Sequence, residues 1–96
     1  MPLIPEVYIG NTIRLTGEFK DYDGELVDPD DAKVIIFDSQ YKEIKEYAPL
    51  REDVGRYYLD YTVPEGTTSI MYFEFKGTIG DMPVVGRSSF KRVWVK

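Results

Sequence analysis

The sequence predicts an all-β domain: an immunoglobulin-like (Ig-like) β-sandwich of about seven antiparallel strands spanning residues 1–96. Three observations predict it. Apolar and polar residues alternate at period two over most of the chain, and helical periodicity is nearly absent. Gly, Pro and Asp interrupt these runs every ~8–12 residues, the spacing of a sandwich of short strands. Aromatic residues make up 15% of the chain, with eight Tyr, five Phe and one Trp, and such side chains suit a pleated face.

The elements follow in order. Pro2 and Pro5 make the first residues extended, and Val7 and Ile9 read as a short edge strand before the turn at Gly10-Asn11. Residues 12–20 alternate cleanly, with Ile13, Leu15, Gly17 and Phe19 on one face. Asp21-Tyr22-Asp23-Gly24 ends that strand, because Asp-Gly supplies the positive φ of a tight turn. Asp28-Pro29 starts a connection in which residues 29–32 fit one helical turn. Residues 33–38 are apolar on both faces and read as a central strand, whereas residues 43–47 read as a polar edge strand.

Residues 51–55 read as a loop. In the strand 56–63, Tyr57, Leu59, Tyr61 and Val63 share a face opposite Tyr58, Asp60 and Thr62. In the strand 70–79, Met71, Phe73, Phe75 and Ile79 alternate against Tyr72, Glu74, Lys76 and Thr78. Gly80-Asp81 turns the chain into a last strand over residues 82–96. Its alternation slips between Phe90 and Val93, which predicts a β-bulge near Lys91-Arg92. A small barrel is the alternative architecture.

Composition excludes several function classes. The chain has no cysteine and no histidine, so Ser-His and Cys-His triads and zinc-thiolate sites cannot be built. A net charge of −5 disfavours nucleic acid and anionic membranes as partners. No run approaches the ~20 apolar residues of a membrane span. The acids Asp21, Asp23, Glu25, Asp28, Asp30 and Asp31 invite a calcium test. They fail the EF-hand spacing, since glycine stands fourth from Asp21 and the twelfth position is Ala32. The plain reading is a solvated turn followed by an Asp-Pro turn. The glycines Gly77, Gly80 and Gly86 precede no helix, so they are turn and strand glycines rather than a phosphate loop. The expectation is therefore a non-enzyme with no catalytic, cofactor or metal site.

What remains is surface. Tyr22, Tyr41, Tyr47, Tyr58, Tyr72 and Trp94 fall outside the predicted core. They serve as cross-strand pairs, as protein-interface anchors or as sugar-stacking platforms. Tyr58 and Tyr72 lie on consecutive predicted strands and are expected to pack together. Arg87, Lys91, Arg92 and Lys96 concentrate positive charge near the C-terminus, as for a dipolar domain docking on a neighbour of opposite sign. The interface candidates are Tyr58, Tyr72, Trp94, Arg87 and Arg92.

One arrangement is more specific than the strands alone. It comprises Val-Tyr-Ile-Gly-Asn-Thr-Ile-Arg-Leu-Thr-Gly-Glu-Phe at 7–19, Asp-Gly-Glu-Leu-Val-Asp-Pro at 23–29 and Lys-Val-Ile-Ile-Phe-Asp at 33–38. Asp-Val-Gly-Arg-Tyr-Tyr-Leu-Asp-Tyr-Thr-Val-Pro at 53–64 and Tyr-Phe-Glu-Phe-Lys-Gly at 72–77 complete it. This resembles Ig-like sandwich modules, including small structural proteins of tailed bacteriophages; bacterial surface and macroglobulin-type modules share much of the pattern. The resemblance implies a virion component: a capsid decoration, a head–tail connector or a tail-associated protein. Its partners would be other virion proteins or further copies of itself. The start Met without a leader, together with the missing cysteine, adds the expectation of a particle assembled in the host cytoplasm. The alternative is a sandwich module that binds carbohydrate or a cell-surface ligand.

Overall fold

The computed structural model describes residues 5–94. Eight strands form: β1 (Glu6–Tyr8), β2 (Thr12–Glu18), β3 (Asp30–Phe37), β4 (Glu43–Tyr47), β5 (Leu50–Asp53), β6 (Arg56–Thr62), β7 (Ser69–Ile79) and β8 (Met82–Val93). Five of them make one sheet in the order β1-β8-β7-β3-β4, and three make the other in the order β2-β6-β5. The two sheets face each other as an Ig-like sandwich.

The alternation read from sequence decides which side of each strand is dry. Leu15 of β2 and Tyr61 of β6 meet Val34 and Ile36 of β3, Met71, Phe73 and Phe75 of β7, and Phe90 of β8 in one buried cluster. Phe19 and Val63, just beyond their strands, join it. The aromatic rings pack edge-on or tilted: Phe19 lies 5.4 Å from Tyr57 and Tyr61 lies 6.4 Å from Phe90. As predicted, β3 is central and β4 is an edge.

Five expectations need correction. The strands number eight, and one pair is not antiparallel: β1 runs parallel to β8, with Glu6 opposite Lys91 and Tyr8 opposite Val93. Such a pairing needs a long connection, here the whole domain. Residues 51–55 are not all loop, because Leu50–Asp53 pairs with β6 despite having no buried face. Residues 29–32 form no helical turn. Asp31 adopts φ 54°, and β3 begins three residues early, at Asp30, with an irregular register between Asp30 and Lys33.

The bulge expected near Lys91-Arg92 does not exist. The β7–β8 register is unbroken from Ser69 opposite Arg92 to Ile79 opposite Met82. The apparent slip arose because Arg92, a cation, occupies an inward-facing position in line with Phe90. Its guanidinium there binds the turn between β6 and β7 through the carbonyls of Pro64 (3.3 Å) and Thr67 (3.0 Å) and the Ser69 hydroxyl (3.0 Å). Finally, Tyr58 and Tyr72 do not pair, since β6 and β7 belong to different sheets.

Candidate protein-interaction face

The outer face of the five-stranded sheet is organised by the β7–β8 hairpin. Its two-residue turn, Gly80-Asp81, places Glu74 opposite Arg87 and Tyr72 opposite Ser89. Because Phe73 and Phe75 point into the core, Tyr72 and Glu74 point outwards. The β3–β7 register then puts Phe37 beside Tyr72.

A turn closes over this face. The Asp38 carboxylate accepts the backbone N–H of Gln40 and of Lys42, both at 2.9 Å. Tyr41 adopts the left-handed conformation, φ 63°, between them. Its ring stacks on Phe37 with centroids 4.5 Å apart and lies 5.3 Å from Tyr72. The Tyr41 hydroxyl donates to Glu74 Oε2. Arg87 donates to the same oxygen through Nε at 2.8 Å and Nη2 at 2.7 Å, and its guanidinium lies 4.6 Å from the Tyr41 ring centroid.

Glu74 is thus a buried carboxylate, 5% exposed, on the nominally wet side of a sheet. Burial raises its pKa, but the bonds from Tyr41 and Arg87 outweigh that effect and hold it below the usual carboxylate range. Burial, then the hydrogen bond to Glu74, pushes the Tyr41 phenol up. At neutral pH the cluster therefore contains an ionised acid, a neutral phenol and a guanidinium, each held by the other two. The outward-facing surface shows Tyr41, 38% exposed, beside Arg87, with Val85 one step along β8. Next to it lies an open groove of about 320 Å³ lined by Asp31, Lys33, Ile35, Glu46, Lys76 and Pro83.

The structure therefore brings together two of the five interface candidates, Tyr72 and Arg87. Tyr58 sits on the opposite sheet under the guanidinium of Arg14, 4.0 Å from its centroid. There Arg14 pairs with Asp60 at 2.8 Å and Arg56 with Glu18 at 3.2 Å, so that face neutralises its own charge. Arg92 is a structural clamp, as described above. Trp94 follows β8, 54% exposed, seven residues beyond Arg87.

Sequence reasoning missed Glu74 and Phe37. The opposition of Glu74 and Arg87 was countable from the Gly80-Asp81 turn. The fold-back of Tyr41 had only the Asp38 turn as a signal. The acidic stretch 21–31 disperses rather than converging. Asp21 accepts backbone N–H groups of its own turn, and Asp28 accepts from Arg51, the Gly55 N–H and Tyr57. Among the described residues no group of three or more His, Cys, Asp or Glu is placed to hold a metal ion.

No family model matches this chain, and no curated protein matches it. Among solved structures it is similar to CopC from Methylosinus trichosporium OB3b, with 20% sequence identity and a TM-score of 0.65. The match covers 97% of this chain and 86% of CopC. At that identity the likeness is one of fold, and it places the chain among β-sandwich proteins.

Proposed function

We propose that this chain is a non-enzymatic structural module that acts by protein–protein contact, as a component of a tailed-phage or prophage particle. The observation that carries the contact role is the outer face of the five-stranded sheet. Tyr41 and Arg87 are held in place by Glu74, and Tyr72 lies against the Tyr41 ring, before any partner arrives, so little side-chain freedom is lost on docking. Tyr and Arg are also the residue types that dominate interface energetics. The particle role is supported by the resemblance of the segments 7–19, 23–29, 33–38, 53–64 and 72–77.

A sugar-binding platform needs an aromatic plane open to a ring. Arg14 lies over Tyr58 and Arg87 over Tyr41, so neither of these rings supports that reading.

The test is particle composition. Particles purified from the host that carries this gene should contain the chain at fixed stoichiometry. A Tyr72→Ala/Arg87→Ala variant that retains its fold should be incorporated at least about tenfold less, the effect of losing about 1.4 kcal/mol of contact energy. Particles lacking the chain would overturn the particle role. Normal incorporation of the variant would overturn the choice of face.

A further inference from the structure

One long edge of the five-stranded sheet is only partly used. β1 covers β8 from Lys91 to Val93 and no further. Lys91 donates its N–H to the Pro5 carbonyl, and the Val93 carbonyl accepts from Ile9, so odd-numbered residues of β8 turn their backbone groups towards this edge. The next bond back along the ladder would need an N–H from Pro5 for the Ser89 carbonyl, and proline has none. Val85, Arg87 and Ser89 therefore hold out both N–H and C=O, and among the described residues no strand pairs with them on that side.

The usual guards of an exposed edge are missing between Val84 and Phe90. The stretch has no proline, no lysine and no bulge, since its register with β7 is unbroken. Its one charge, Arg87, is folded onto Glu74.

The inner side of the same stretch is uncovered. Phe90 is buried, so Ser88 and Gly86 point the same way, towards the facing sheet. Both are nevertheless exposed, and a β-carbon on Gly86 would meet nothing within 4 Å. Next to them lies a groove of about 230 Å³ between β8 and β2, whose lining includes Val7, Ile13, Leu15, Phe73, Ser88 and Phe90. Arg14, the one charged residue lining it among the described residues, is answered by Asp60 at 2.8 Å. The groove therefore suits an uncharged side chain, and an apolar cavity of about 150 Å³ already takes a benzene ring.

We propose that this edge of β8 receives an extended segment of a different protein as an added strand, in line with β1. Its backbone pairs with Val85, Arg87 and Ser89, and an aliphatic side chain fills the groove. The unpaired backbone groups specify a strand, and the apolar groove specifies its inward residues. A second copy has no strand to spare for this edge. β4 carries Glu43, Lys45 and Glu46 within five residues, and β5 has no buried face. Leu15 and Ile13 of β2 already pack in their own core, and two β8 edges would set Arg87 against Arg87. The inference goes beyond the contact face described above, because it uses the sheet's edge.

The experiment is an NMR titration of the isotope-labelled chain with a capped heptapeptide of alternating valine and threonine. The amides of Val85, Arg87 and Ser89 should shift and become protected from exchange. N-methylation of one alternate set of peptide residues should abolish binding, and of the other set should not, because only one set faces β8. Ser89→Pro removes an edge-facing N–H, and Ser88→Phe fills the groove. Each should weaken binding at least about tenfold, with the fold retained by circular dichroism. No shift on β8, equal binding of the two N-methylated peptides, or normal binding by both variants overturns the proposal. Shifts at Arg87 and Ser89 that follow chain concentration alone would give the edge to a second copy. Protection at Arg87 and Ser89 without peptide, lost when residues 1–4 are deleted, would give it to the chain's own start. Either of these results also overturns the proposal.

Discussion

Gly17 of β2 lies against the ring of Phe75 in the facing sheet: a β-carbon on Gly17 would stand 2.5 Å from Phe75 Cγ. That is inside van der Waals contact, and Phe75 is 3% exposed, so its ring has no solvent to retreat into. The Phe75 ring fills the space that a side chain at residue 17 would need. Gly17→Ala should therefore destabilise the domain by about 1–3 kcal/mol through overpacking, despite alanine's better backbone entropy. Urea unfolding would show it as a lower midpoint with an unchanged slope.

Arg92 should behave as a structural residue. Its guanidinium binds carbonyls of Pro64 and Thr67 and the Ser69 hydroxyl, and the backbone of Gly66 leaves room for it. Arg92→Ala should cost about 1–3 kcal/mol and speed amide exchange over residues 64–69. Arg92→Lys keeps the charge but loses the fork of donors, and should recover only part of that loss. Full stability in Arg92→Ala would count against the clamp.

Asp28 gives a pH dependence. The bond from Arg51, then the Gly55 N–H, holds its carboxyl below the usual Asp value. A depressed folded-state pKa stabilises the fold above the unfolded-state value, and the effect is lost as pH falls through the folded-state value. Asp60, bonded to Arg14, has the same sign. Thermal melting should thus fall through the acid range below the ordinary carboxylate pKa. Asp28→Asn should be less stable than the wild type at neutral pH, with the gap closing in acid. A constant gap from neutral pH to about pH 2, well under the ordinary Asp pKa, would refute the assignment.

Glu74→Gln tests the buried cluster. The amide keeps the shape but removes the charge that Arg87 and Tyr41 share. The Tyr41 phenol, pushed up by burial and by Glu74, should then titrate closer to its ordinary value, as followed by NMR of its ring. Stability should drop by about 1–2 kcal/mol: Arg87 is more than half exposed and water takes over its charge, so the loss is that of the charged acceptor for Tyr41 and Arg87. An unmoved Tyr41 titration would show that the two groups do not interact in solution.

The parts of the fold set by local chemistry were legible in the chain. Alternation at Ile13, Leu15, Phe73 and Phe75 identified the dry faces, and Asp23-Gly24 and Gly80-Asp81 located turns where the chain reverses. The parts set by distant partners were not. Nothing near Glu6–Tyr8 says that its partner is β8, and Leu50–Asp53 has no apolar face to mark it as a strand. Arg92 misled because a cation at an inward position reads as broken alternation, when it was binding carbonyls. Tyr58 and Tyr72 sit on consecutive strands, which suggests a pair, but the chain changes sheets between β6 and β7. The candidate face was half legible: Tyr72 and Arg87 stood out by residue type, but Glu74 read as one more exposed acid until Tyr41 was seen folded over it.

The pairing of β1 with β8 bears on how the domain meets force. These are the first and last strands, they are neighbours, and they point the same way. A pull through the two flanks of the described chain would drag them past each other along their length. The hydrogen bonds of Pro5, β1 and Ile9 with β8 would then be loaded together in shear rather than opened one by one. A small sandwich closed in this way resists tension at its seam, even though that seam is only a few residues long.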